Sequence, residues 1–387
     1  MSILFIQHGD FADDYTRFAA GGDETYRDQK KSVDFVSDLS ADQRVTTLTL
    51  GDTVAFRELT PTLWAGILAR ATLRQQQIRE VFDRVAPTHV VVRSPHLGFL
   101  HEATRRGCKV LPSFADIFHK GGPRQRWRNF KLRQALAHPA IPCVANHSLN
   151  ASQSLASAVG VSKDKIVPWD WSRIPLTEPA KPAVADRAAP NAFYAGVLSE
   201  AKGVGDILEA LRLCRDQGHT ISVTLAGRGD LEPWKNRADQ LGVADQIHFL
   251  GLIPNTEVRE QMRAHDMVIV PSRHSYPEGL PNTIYEALAS RSPLVLSDHP
   301  AFAGRLDHET QCMTFKAGDS QDLARCLSRL CRDEALYSAL SGNAGTASEG
   351  LYIGLDWRDL VTQFLADPDN RTGWVEQNSL SEALQHR

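Results

Sequence analysis

Apolar positions in the second half of the chain fall into short, almost uninterrupted runs at 192–198, 221–226, 247–250, 267–270, 293–296 and 313–315. Runs of this length, rich in Val, Ile, Leu and Phe, read as strands buried on both faces. Between them, 204–216, 231–241, 256–264 and 283–290 place apolar residues three and four apart, and a long helix follows Ser320. Strands alternating with such helices predict a parallel sheet covered on both sides, a doubly wound α/β unit.

The first half alternates more loosely. Strands are expected at 3–6, 45–50, 89–92, 110–111 and 142–145, with a long, partly polar helix over 63–85. Between the halves, 174–190 holds four prolines and almost no large apolar side chain, so it buries little and reads as a linker. The expected organisation is a first doubly wound domain over 1–180 and a second over 181–356, with about 357–387 returning to the first. The chain after Asp367 is polar and reads as a loosely held tail. Two such domains would face each other across a cleft lined by strand carboxyl ends, where open α/β sheets bind ligands.

Composition narrows the classes. At 387 residues, with 42% hydrophobic and 23% charged residues, the chain is neither disordered nor a disulfide scaffold. No apolar run approaches the ~18 residues of a membrane-spanning helix, and the start at Met1 reads as a first strand, not an export signal. Six scattered cysteines without C-x-x-C spacing suggest reduced thiols in a cytoplasmic protein and no structural zinc. The net charge of −3 hides an asymmetry: residues 1–180 carry 23 Lys+Arg against 18 Asp+Glu, and the remainder 20 against 28. The two halves would then meet different partners, unless the split is scatter on a solvated surface.

The chemistry concentrates at 271–288. A strand ends, a Gly/Pro loop follows, and a helix begins near Asn282, which suits an N-cap. Such a helix start, beside Gly279, is a cradle for phosphate. Glu278 in the loop and Glu286 one turn into the helix could accept hydrogen bonds from vicinal hydroxyls; the plainer alternative is a cap and a dipole complement.

Within E-G-L-P-N-T-I-Y-E-A-L, the pair Glu278 and Glu286 resembles the signature of the retaining glycosyltransferases of sequence family four, the group 1 enzymes with the GT-B fold. The resemblance covers roughly 190–345 and includes Phe193-Tyr-Ala-Gly196, Glu200-Ala-Lys202-Gly203, Leu225-Ala-Gly227-Arg-Gly229-Asp230, Phe249-Leu-Gly251 and Val270-Pro-Ser272. It implies that Glu286 binds the donor ribose, Glu278 the donor sugar, and Lys202 the diphosphate. Gly227, Gly279, Leu280, Asn282 and Thr283 would join the donor site. The family's usual arginine after Gly196 is Val197 here, which leaves Arg273 and His274 as candidates by sequence proximity.

In the first half, Gly21-Gly22 looks like the family's glycine loop facing the donor phosphate. The usual His-Asp pair falls on Ala115 and Asp116, with His119 and His96 as substitutes or as ordinary loop histidines. Catalytic roles would then rest on Glu278, Lys202, Asp116 and His119. The stretch 119–133 interleaves Trp127 and Phe130 with six cations and no acid, which suits anionic membrane lipid, a nucleic acid, or simply a solvated helix face. The transferase resemblance favours the membrane. The late Asp367-Pro-Asp369 reads as noise, so no obligatory metal or cofactor is expected.

The expected function is transfer of a sugar from a nucleotide-diphosphate donor, a UDP-sugar first, to a hydroxyl of a saccharide or lipid-linked saccharide. The enzyme would work in cell-surface polysaccharide or glycolipid synthesis, in the cytoplasm or on the inner membrane face. Two alternatives from other classes are a non-catalytic sugar-nucleotide binding protein and a sugar-nucleotide 2-epimerase.

Overall fold

The computed structural model describes residues 1–182 and 190–385. They form two compact units: one of Met1–Gly22, Asp28–Ser172 and Ile353–Arg387, the other of Asp23–Arg27 and Arg173–Tyr352.

The first unit is built on β1 (Ser2–Gln7), β2 (Arg44–Gly51), β3 (Ala55–Thr60), β4 (Leu63–Ala69), β5 (His89–Val92), β6 (Lys109–Phe114), β7 (Val144–His147) and β8 (Ile166–Trp169). Their order in one sheet is β3-β4-β2-β1-β5-β6-β7-β8, parallel except for the antiparallel β3–β4 hairpin at the edge. One side packs Leu4, Ile6, Phe82, Phe99 and Leu136, the other Ile3, Phe5, Phe11, Trp169 and Trp357.

The expected helix over 63–85 is corrected here: its first seven residues are β4, and the helix is only Gln75–Val85. From Val45↔Leu63 to Gly51↔Ala69 every residue pairs with β2. Residues 63–69 satisfy helical spacing locally, but the ladder against β2 buries Leu63, Ala65 and Leu68.

The tail is also corrected. Helices Trp357–Ala366, Trp374–Gln377 and Leu380–Gln385 follow one another, with Trp357, Trp374, Val375 and Leu380 buried in the first unit. Asp367 and Asp369 act as structural anions: Asp367 accepts from the backbone of Arg371 and Thr372, and Asp369 pairs with Lys109.

The second unit holds β9 (Asn191–Ala195), β10 (Ser222–Ala226), β11 (Ile247–Gly251), β12 (Met267–Val270), β13 (Leu294–Ser297) and β14 (Met313–Phe315), all parallel, in the order β11-β10-β9-β12-β13-β14. Strand order reverses beside β9, which makes the carboxyl ends of β9 and β12 the switch point of the sheet. The helix after Ser320 is two helices, Ser320–Arg332 and Glu334–Leu351, because Asp333 ends the first and caps the second.

Of the expected linker, 183–189 lies outside the described residues. The part before it is anchored in the second unit: Ile174 N donates to Tyr352 Oη, and buried Lys181 donates from its backbone to Ser341 Oγ and from Nζ to Met262 O. All six cysteines are free, five of them buried, and burial pushes the Cys312 thiol up to about 11. They serve as packing residues.

Candidate functional site

Two glycines let the loops of the second unit converge at its switch point. Gly227, at φ 147°, follows β10, and a Cβ there would overlap the carbonyl oxygen of Gly196 after β9. Gly203, at φ 77°, lies against the Pro271 carbonyl in the same manner. Any side chain at either position would force the loops apart. Arg273 N donates to Ala201 O at 2.9 Å, so the loops after β9 and β12 are also tied directly.

This convergence brings Lys202 onto Glu278. Lys202 Nζ pairs with Glu278 Oε1, the two side chains being 12% and 11% exposed. Ser272 Oγ donates to the other carboxylate oxygen at 2.6 Å, and Ser297 Oγ holds the Ser272 carbonyl at 2.7 Å. Lys202 also sits 4.6 Å from the centroid of the Tyr276 ring. Tyr276 is held in turn by buried His299, whose ring nitrogen lies 3.0 Å from the Tyr276 carbonyl oxygen. The result is a nearly buried cation and anion side by side where the loops after β9 and β12 meet.

The helix after the loop is Asn282–Ala289, with Pro281 in the cap position and no side-chain cap. Asn282 is therefore the first helical residue, a correction to its reading as N-cap. Its Oδ1 is buried without a hydrogen-bond partner. Ile284 N donates back to Pro281 O at 3.1 Å, so the amides that this first turn could turn to an anion are those of Asn282 and Thr283. Thr283 Oγ1 reaches back to Ala195 O at 3.4 Å, and Leu280 is buried beneath the loop.

Glu286 is 3% exposed and accepts a 2.7 Å hydrogen bond from Asn255 Nδ2. Burial pushes its carboxyl up, while Asn255, Arg27 and Arg259 pull it down and Glu24 adds to the rise. Arg27 comes from the Asp23–Arg27 segment that packs with this unit. The sequence assigns no role to Arg27, Asn255, Ser272 or Tyr276, although Val270-Pro-Ser272 is one of the matched motifs and Tyr276 lies in the same loop.

Arg273 and His274 are both occupied. Arg273 makes a two-pronged pair with Asp206 at 2.5 and 2.9 Å and a third contact with Glu200 at 2.8 Å. These anions drive its basicity further up. His274 Nε2 lies 2.7 Å from Asp298 Oδ1. Val197 is 44% exposed, and its carbonyl accepts from Tyr194 Oη at 2.7 Å.

In the first unit, Gly21 and Gly22 close the helix Phe11–Ala19, with Gly22 N donating to Arg17 O at 2.8 Å. A Cβ on Gly22 would press on Arg17. The next helix, Gln29–Leu39, opens only after the Asp23–Arg27 excursion. Asp116 follows β6, its backbone held on both sides by Asn146 (3.2 and 2.9 Å), and burial pushes its carboxyl up. Ala115 and His119 are exposed, and His119 O accepts from Asn129 Nδ2 at 2.9 Å. His96 heads the helix Leu97–Arg105 against Phe99, with its Nδ1 buried and unpartnered. Ser148, after β7, adopts φ 72° and ψ 162°, a strained conformation for a residue with a Cβ.

The basic stretch forms the helix Pro123–Leu136. Leu132, Ala135 and Leu136 face the core, while Trp127 and Phe130 are 61% and 53% exposed. No helix among the described residues is long and apolar enough to cross a membrane.

Known proteins resemble the chain most over this second unit. Residues 181–346, less than half of the chain, match the family model "Glycosyl transferases group 1". The amylovoran biosynthesis glycosyltransferase AmsK of Erwinia amylovora is 32% identical over 142 residues, which is 36% of this chain and 35% of that protein. The putative teichuronic acid biosynthesis glycosyltransferase TuaC of Bacillus subtilis is 32% identical over 139 residues, 36% of this chain and 32% of that protein. The chain thus spans about a third of the length of these curated relatives. In fold the likeness is complete: the structure of Anabaena Alr3699/HepE in complex with UDP-glucose superposes with a TM-score of 0.66 at 14% identity, covering 100% of this chain and 99% of that one. Over residues 181–346 the chain is thus similar to the group 1 glycosyltransferases, and its two Rossmann-like units have the GT-B fold.

Proposed function

We propose that the protein is a retaining glycosyltransferase that moves a hexosyl group from a nucleotide-diphosphate sugar to a hydroxyl of a saccharide or lipid-linked saccharide. The observation that carries this reading is the grouping of the Lys202–Glu278 pair, the uncapped helix start at Asn282 and the buried carboxyl of Glu286 on the loops and helix that follow β9 and β12. Glu286 would accept from the two ribose hydroxyls. The loop from Gly279 to Thr283 would meet the diphosphate with backbone amides, and Glu278 would accept from hydroxyls of the donor sugar. Lys202, released from Glu278, would follow the diphosphate as it departs.

In the reaction the bond from the anomeric carbon to the diphosphate oxygen breaks, and the bond to the acceptor oxygen forms on the same face. The acceptor proton passes to the departing diphosphate oxygen, leaving a nucleoside diphosphate. Such a step needs positioning and charge stabilisation more than a strong protein base, which fits a first unit with Ala115 in place of a histidine. Asp116 and His119 remain the proposed first-unit participants, with Gly21-Gly22 as the loop beside the donor phosphate. The UDP-glucose of the Anabaena structure makes a uridine donor the first to try. Those contacts leave no step that demands a metal ion or cofactor.

The names of the curated relatives support a role in cell-surface polysaccharide or glycolipid synthesis. Trp127 and Phe130, exposed among six cations, would hold the protein to an anionic membrane surface, on the cytoplasmic face where sugar nucleotides are made. The test is turnover: the protein is given UDP-sugars with a membrane-derived acceptor fraction, and the product's anomeric coupling is read by NMR. An axial product from an axial donor is expected. An inverted anomer overturns the retaining step, and epimerised donor without acceptor overturns the transferase.

A further inference from the structure

The chain leaves the first unit for five residues, Asp23–Arg27, which pack with the second. This excursion makes two connections to the helix that carries Glu286. Glu24 O accepts from Asn255 N at 2.8 Å, and Asn255 uses its side chain to donate to Glu286 Oε1 at 2.7 Å. Asn255 is therefore clamped at its backbone by the excursion and at its amide by the carboxylate. Arg27 ends the same excursion with its guanidinium 4.5 Å from the centroid of Tyr285, the residue before Glu286.

Arg27 is itself 6% exposed, and its Nη1 donates to Tyr352 Oη at 3.3 Å. Its Nε and Nη2 are buried without a hydrogen-bond partner among the described residues. A guanidinium so placed is expensive unless an anion lies close by, because burial strips its hydration without replacing it. Glu286, the residue after Tyr285, is a buried carboxyl. Its surroundings are Asn255 and Arg259 from the helix Asn255–Ala264, and Arg27 and Glu24 from the excursion. Arg27 and Arg259 favour the carboxylate and Glu24 opposes it.

We infer that Arg27 is the buried counter-charge that keeps Glu286 an anion, and that Asn255 is the link that fixes where its oxygens point. Both are positioning residues: they act through Glu286 and make the excursion a working part of the nucleotide site. The inference rests on the reading of Glu286 as the acceptor of ribose hydroxyls. An anion accepts two hydroxyl donors at once, whereas a protonated carboxyl must turn one oxygen into a donor.

The full-length protein with 13C-labelled glutamate carboxyls is titrated by NMR, the Glu286 signal being the one that Glu286→Gln removes. Arg27→Met is expected to raise the Glu286 midpoint by about one pH unit or more. Arg27→Lys restores most of it, and Asn255→Ala raises it by less. Uridine diphosphate binding is then measured across pH by calorimetry. Its acid limb should move up with the midpoint in Arg27→Met, and this movement should vanish in Arg27→Met/Glu286→Gln. An unmoved Glu286 midpoint in a folded Arg27→Met overturns the inference, and if Arg27→Met does not fold, an unmoved midpoint in a folded Arg27→Gln does so. Unchanged uridine diphosphate affinity in Glu286→Gln alone would instead overturn the donor reading on which it rests.

Discussion

Replacing Lys202 by methionine tests directly how the Lys202–Glu278 pair is held. Lys202 and Glu278 are nearly enclosed, so each is desolvated and each relies on the other. Removing the lysine leaves the Glu278 carboxylate with Ser272 as its remaining hydrogen-bond donor, at 2.6 Å. Breaking a buried pair from one side costs about 3–5 kcal/mol, and the remaining exposure of both groups puts this one at about 3 kcal/mol. For a unit of this size, that is a fall in melting temperature of about 6–12 °C. In the double variant Lys202→Met/Glu278→Leu the orphaned charge is gone, so most of the loss should return. Calorimetric unfolding of wild type, both single variants and the double variant closes the cycle. The coupling should exceed about 1.5 kcal/mol; single effects that add within about 0.5 kcal/mol would refute the reasoning, since additivity means the two charges do not depend on each other.

Three other outcomes follow from the same structure. Glu286 has a carboxyl pushed up by burial, so its protonated form is favoured by folding and its burdened ionised form is present above that midpoint. Glu286→Gln should therefore remove the fall in stability that the wild type shows as pH rises through that midpoint, while weakening nucleotide binding about tenfold or more; an unchanged pH dependence of the melting temperature would contradict the burial argument. In the first unit, Glu102 lies between Arg105 and Arg106 and is held down to about 2 from 4.5. Its contribution is present above pH 4.5 and lost as pH falls through about 2, so Glu102→Gln should cost about 1–2 kcal/mol at pH 7, the exposed arginines being screened, and about a quarter of that at pH 2.5. A penalty independent of pH, read from thermal unfolding across that range, would show the carboxylate is not ionically held. Finally, Trp127→Ser/Phe130→Ser should lower binding to phosphatidylglycerol vesicles at least about tenfold in sedimentation; equal binding would remove the membrane from the account.

The second unit is legible in the sequence because its strands are apolar on both faces and its helices keep their period, so local pattern and tertiary environment agree. Val204–Asp216, Met267–Val270 and Met313–Phe315 fall where the pattern puts them. In the first unit they disagree. β4 keeps helical spacing but is claimed by β2. β3 is a half-exposed edge strand with little apolar pattern, and β8 is four residues long with a proline inside. The donor-site candidates Lys202 and Glu278 lie far apart in sequence and meet because Gly203 and Gly227 let the loops close. Arg27 and Asn255 carry no local signal: neither lies in a motif with Glu286, and only the path of the chain brings them to it. Arg273 and His274 show the reverse case, since closeness in sequence hides that Asp206 and Asp298 hold them.

Everything proposed for the second unit depends on its binding a nucleotide sugar through Glu286 and the loop before it. The decisive experiment is calorimetric titration of wild type and Glu286→Ala with UDP-, GDP- and ADP-sugars. One of these donors should bind the wild type and bind Glu286→Ala at least about tenfold more weakly, with the variant folded. Equal affinity of both proteins for every donor that binds, or binding of none, would contradict it.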